Sequence, residues 1–457
     1  MPVQAKWSKL LDVETLQRSS QALSVVDNKV YVFGGELRPR EPRDNVVHVV
    51  SLDGKEATIN SIPSQSDAPS PRVGTATTTL NGSVYLFSGR GGVAMVPIDE
   101  QGAIWKFDTT TGQWSILSPA DAANSPEPRS YHCSCSDKKD TLYVHAGCPE
   151  KGRLSDLWSF NLNTKQWKQL ASAPDPARGG TSITFADGKL YRMNGFDGKT
   201  EQGGSIDVYT SETDSWETHS YKPDNESGPI ARSVCALLPV VVGDKTYIVT
   251  LFGESDPSNL GHQGAGKMLG DVWAFETAGK TWHKVDPQGD AVPDARGWFG
   301  ADVVGRDMIV VQGGLGEANN RLGDVWSLTR SPPRFSCPLR LMDRVRVTVY
   351  SQSISSTSEI ILRVHSVQTP QFSTSEPITV LPANSSEIGV WAPLSHESRQ
   401  IIAPSKPSSG LAAFSILGLE IWSRSTNRSG SRFPAIYPQA LQYDESQLSV
   451  WCIDGTL

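Results

Sequence analysis

The chain has 457 residues, 38% of them hydrophobic and 20% charged, with a formal net charge of −7, 13 Trp and 40 Gly. That length accommodates one large β domain with an extension, or two to three ordinary domains, and the Trp and Gly counts suit an all-β repeat protein better than a mixed α/β enzyme. The negative balance and the lack of any basic run argue against nucleic acid as the main partner, and no run of about 18 apolar residues reads as a membrane span.

The opening MPVQAKWSKLLDVE has no apolar core of signal-peptide length, so a cytoplasmic location is expected. It also holds an orphan segment, KWSKL, with Trp7. Glycine-ended β-rich runs follow in order: VYVFGG to Gly35, VYLFSG to Gly89, LYVHAG to Gly147, LYRMNG to Gly195, IVTLFG to Gly253 and IVVQGG to Gly314. An element beginning with Arg precedes each run (Arg18, Arg72, Arg129, Arg178, Arg232, Arg296), and a second β-rich run follows it, usually closed by Trp, as in GAIWKFDTTTGQW. The cysteines Cys133, Cys135, Cys148, Cys235, Cys337 and Cys452 are irregularly spaced and read as reduced packing residues.

This period is the kelch repeat pattern, which implies four strands per blade and a six-bladed β-propeller. No blade buries both faces alone, so stacking in a ring makes the core. The sixth repeat stops at DVWSLT without its Trp and fourth strand. Trp7–Leu10 is therefore expected to supply that outer strand and latch the ring, removing open sheet edges. The fold class is all-β: a kelch propeller over residues 1–330, closed by an N-terminal strand, with a Ser-rich extension of unknown fold over 331–457. In that extension RVRVTVYSQ and EIILRVHSV alternate like strands, while SKPSSG and STNRSGSR read as loops or disorder.

Strands in a blade run up, down, up, down. The arginines at the inner-strand entries and the residues after the glycines should therefore meet at one mouth. The first set contributes Arg129, Arg232 and Arg296 as substrate-binding candidates, the second Glu36, Arg90 and Phe196. Structural bonding to neighbouring carbonyls or carboxylates is the competing reading for the ring arginines. Arg90 lies in SGRGG, where small neighbours leave its head free, and guanidinium groups favour anions with planar oxygens. The fifth repeat has the longest connection of this kind, GESDPSNLGHQGAGK. Its Glu254 and His262 are hard-to-borderline ligands suited to a divalent metal such as Fe(II). The alternative is that Glu254 bonds backbone in a turn, Asp256–Pro257 starts a turn and His262 packs.

The string ESDPSNLGHQGAGKMLGDVWAFE, with RSYH, NGFDG, ARSV and ARGW, resembles the plant specifier proteins: the epithiospecifier, nitrile-specifier and thiocyanate-forming proteins. The resemblance covers about residues 7–330. It implies binding of an unstable thiohydroximate O-sulfate and its diversion to nitriles, epithionitriles or thiocyanates, with Fe(II) as cofactor. The family's Glu-x-x-x-Asp-x-x-x-His ligand pattern falls here on Glu254, Ser258 and His262, so a neutral hydroxyl stands at the central position and Asp256 lies two residues away. Arg90 and Trp298 fall where the family lines its pocket and are the catalytic candidates.

Three functions fit these residues. One is an accessory or tailoring protein of secondary-metabolite biosynthesis that binds a small, anionic metabolite at the mouth, with pathway enzymes as further partners. The second is an Fe(II)-dependent nitrile-specifier-like protein. The third is a protein–protein adaptor.

Overall fold

The computed structural model describes residues 5–330, except 55, 261–263 and 289–290, and beyond 330 only the backbone of strands between residues 346 and 450. The chain divides into two compact units, Met1–Arg334 and Phe335–Leu457. In the second, antiparallel strands pair locally: Arg346–Ile354 with Thr357–His365, and Glu387–Leu394 with Glu397–Pro404.

The first unit is a β-propeller whose six four-stranded sheets follow the repeats. Alternating runs such as Lys29–Phe33 and Ser83–Phe87 take the second-strand positions, where both faces are covered by neighbouring blades. The innermost strands are Ala22–Val26, Ala76–Leu80, Cys133–Ser136, Ser182–Ala186, Ala236–Val242 and Gly300–Val304. Each packs against the next, and the last against the first. Ala5–Asp12 pairs antiparallel with Asp324–Arg330, so the amino terminus completes the last sheet. Trp7 is 4% exposed and stacks on Phe252 of the preceding blade at 5.6 Å. It does there what Trp114 does against Phe33 and Trp167 against Phe87.

A closed cycle of backbone hydrogen bonds rings the axis. Ser20 N donates to Trp298 O, Trp298 N to Val234 O, Val234 N to Gly180 O, Gly180 N to Tyr131 O, Tyr131 N to Gly74 O, and Gly74 N back to Ser20 O, at 2.7–3.1 Å. Each residue is two positions after a repeat Arg. All six are left-handed, with φ between 47° and 61°, although only two are glycine. A bulky Trp, Tyr or Val in that region is strained alone. Here the cycle of bonds holds it.

Candidate functional site

The mouth is built from the residue after each repeat glycine. Glu36, Cys148, Phe196 and Glu254 pair with Ser19, Ser130, Gly179 and Ser233 as isolated bridges, and Arg90 and Leu315 pair with Val73 and Gly297. These six residues are therefore equivalent positions around one opening. In ring order they read Glu, Arg, Cys, Phe, Glu, Leu. The ring cycle adds Tyr131 and Trp298, both half-buried, at its third and sixth places.

The ring arginines divide by their partners. Arg129, Arg232 and Arg296 are fully buried. Each holds a carboxylate with both terminal nitrogens, Asp156, Asp271 and Asp324 respectively, at 2.6 and 2.9 Å. Each also donates to a backbone carbonyl just before a repeat glycine. Their donors are spent on the scaffold, which departs from the expectation that they reach a substrate. The same holds for Glu36, whose Oε1 takes Arg321 Nη2 at 3.0 Å and whose Oε2 takes the Arg40 N–H at 2.7 Å.

Arg90 differs. Its Nε is enclosed without a partner, and its guanidinium makes no hydrogen bond or ion pair among the described residues. A second arginine joins it that the sequence pattern did not single out. Arg153, in the third blade's loop, also has an enclosed, unpartnered Nε and no carboxylate partner among the described residues; its Nη1 donates only to Gly152 O at 3.0 Å. Its guanidinium carbon lies 5.8 Å from the Phe196 ring centroid. Both cations act on Cys148: burial pushes that thiol up, and Arg153 and Arg90 pull it back. Arg90 also acts on Tyr131, whose hydroxyl is pushed up to about 12, first by burial and then by the nearby Glu36 charge. Arg90, Cys148, Arg153, Phe196 and Tyr131 thus form one cationic, aromatic sector. Arg153 left no periodic signal because its loop EKGR is peculiar to one repeat.

The neighbouring sector is acidic. Glu254 is 4% exposed, and its Oε1 accepts the Gly266 N–H at 2.7 Å. Burial, with Glu201 adding a like charge, pushes its carboxyl up to about 7. Asp256 is exposed, and Ser258 Oγ accepts the Leu260 N–H at 3.1 Å in a local turn. His262 lies outside the described residues. Among the described residues no three His, Cys, Asp or Glu side chains group closely enough to hold a metal ion. The observed bond from Gly266 is the turn role open to Glu254 from its sequence.

Because Glu254 keeps its proton longer when folded than when unfolded, its contribution has a definite sign. Stability falls as pH rises from the ordinary carboxyl value of 4.5 to about 7 and is level above. Glu254→Gln is expected to flatten that slope and to stabilise the protein at pH 8 by up to about 3 kcal/mol, at about 1.4 kcal/mol per pH unit. Urea unfolding of both proteins at pH 5 and pH 8 checks it.

These features define a kelch-repeat β-propeller whose mouth carries a cationic, aromatic sector. Residues 20–253 match the KLHDC2/KLHL20/DRC7 Kelch-repeats domain, and the chain belongs to that family. It is 27% identical to a Thlaspi arvense protein named N-(sulfonatooxy)prop-2-enimidothioate sulfolyase, over 68% of this chain and 91% of that one. It is 24% identical to Kelch domain-containing protein 3 of Bos taurus, over 68% and 81% of the two chains. The solved structure of YjhT superposes with a TM-score of 0.53 at 14% identity, covering 70% of this chain and 96% of that one, a likeness of fold alone.

Proposed function

We propose that the propeller binds a small organic oxyanion of the sulfate-ester kind at this mouth and steers its breakdown, as an accessory protein of secondary metabolism. The observation that carries the reading is the pair Arg90 and Arg153: two guanidinium groups at one opening, neither neutralised by a carboxylate among the described residues. A guanidinium fork suits a sulfate's oxygens, and it is stabilising only when an anion fills it. The Thlaspi arvense relative is named for the loss of sulfate from a sulfonatooxy compound, which suits the same pair of cations.

The chain's own contribution is positional and electrostatic. Arg90 and Arg153 hold the sulfate and stabilise the charge that gathers on it as its bond to the organic part breaks. Phe196, Tyr131 and Trp298 offer ring faces to the organic part and limit water around it. Calorimetric titration tests the reading with phenyl sulfate against phenol. Saturable binding of the ester, weakened by salt, with phenol at least about tenfold weaker, supports it; equal binding of the two removes the anion site.

Exposed apolar tips on the mouth loops, Val93 at 107% and Leu260 at 71%, favour a second reading as a protein adaptor. Co-purification of a partner whose binding survives loss of both arginines would select it.

A further inference from the structure

The fourth blade departs from the other five at one carboxylate. Arg18, Arg72, Arg129, Arg232 and Arg296 grip Asp44, Glu100, Asp156, Asp271 and Asp324 respectively, in each case with Nη1 on one oxygen and Nη2 on the other. Arg178 occupies the same place and is 5% exposed. Its Nη1 donates to Asn194 O at 3.2 Å, as in the other repeats, and its Nε to Pro176 O at 2.9 Å, as in all of them but the first, where Arg18 Nε has no partner among the described residues. No carboxylate bonds it, and its Nη2 has no partner among the described residues.

The cause is legible in the residues. Where three repeats read Asp156-Leu-Trp158, Asp271-Val-Trp273 and Asp324-Val-Trp326, the fourth reads Ser205-Ile206-Asp207. Two residues along a strand return to the same face. Asp207 therefore points as the Trp does elsewhere, and it binds Arg192 Nη1 at 2.6 Å. Arg192 in turn stands where other second strands carry Val32, Leu86, Val144 and Val311. The carboxylate has moved deeper into the blade, and the arginine that it serves elsewhere keeps an open fork. Arg192 adds its positive charge near Arg178, while Asp207, Asp197 and Asp175 act at a distance without bonding it.

We propose that the Arg178 fork of the fourth blade is a second ligand site, which takes the carboxylate of a small acid in the place that Asp or Glu fills in the other five. A carboxylate is the ligand because both Asp and Glu already satisfy the fork in the sibling repeats, two coplanar donors meeting two coplanar oxygens, a match that chloride cannot make.

Thermal unfolding of the full chain in sodium acetate, against sodium chloride at equal ionic strength, tests it. Acetate should raise the midpoint of the wild type above that in chloride, and by more than it does for Ser205→Asp. Ser205→Asp should restore the internal pair, raising the midpoint in chloride by about 2 °C and abolishing the extra effect of acetate. Ser205→Ala should keep the response to acetate. An acetate effect as large in Ser205→Asp as in the wild type, or a wild type that responds to acetate no more than to chloride, overturns the proposal. A Ser205→Asp midpoint at or below that of the wild type overturns it equally.

Discussion

Changing Arg90 and Arg153 together to Gln is expected to weaken binding of phenyl sulfate at least about a hundredfold, and each single change about tenfold, with little change in the unfolding midpoint. A hydrogen bond to a charged group contributes about 1.5–3 kcal/mol, which is about ten- to 150-fold in affinity for each arginine lost. Stability should hold because neither guanidinium is part of an ion pair among the described residues, and each has an enclosed Nε with no partner. Gln keeps a polar amide at the mouth but carries no charge. Calorimetry gives the affinities and thermal unfolding controls for the fold. Affinity within about twofold of the wild type in the double variant would end the proposed role.

Arg296→Met should behave in the opposite way: a large loss of stability, about 3–5 kcal/mol, from a residue that bonds the scaffold at Gly313 O and Asp324. Arg296 and Asp324 are both enclosed, and Asp324 also accepts the Trp326 indole N–H at 2.7 Å. Burial by itself would push the Asp324 carboxyl up. The bonds and charge of Arg296 outweigh that and hold it below its ordinary value. Without Arg296 the carboxylate is left buried with one donor, which costs far more than the pair contributes when intact. Adding Asp324→Leu to Arg296→Met should recover part of the loss, since no unpaired charge then remains. Urea unfolding of the three proteins measures this, and a loss below about 1 kcal/mol in Arg296→Met would mean that the pair is not the scaffold element described here.

The contrast between these arginines shows what the sequence could and could not convey. The repeat period, the glycine at each second-strand end and the displaced Trp7 are local signals, and each corresponds to a feature of the fold. Trp7 stacks on Phe252 as Trp167 packs on Phe87. Which arginine is spent and which is spare is not a local property. It depends on a carboxylate that opens the third strand of the same blade, as Asp271 does for Arg232 across 39 positions. The GDVW string marks that carboxylate in hindsight, and its replacement by Gly204-Ser205-Ile206-Asp207 marks the exception. Arg153 was hidden for another reason. It belongs to a loop with no counterpart in other repeats, and only the packing of the third blade against the fourth brings it over Phe196. Glu254 was legible as a turn residue, and the Gly266 bond is that turn.

The measurement that bears most directly on the mouth is a crystal structure of the full chain with phenyl sulfate bound. The sulfate oxygens should lie within hydrogen-bond reach of both guanidinium groups, Arg90 and Arg153, with the ring against Phe196, Tyr131 or Trp298. A sulfate elsewhere on the protein, or Arg90 turned onto a carboxylate of the chain with no ligand at the mouth, would contradict the account.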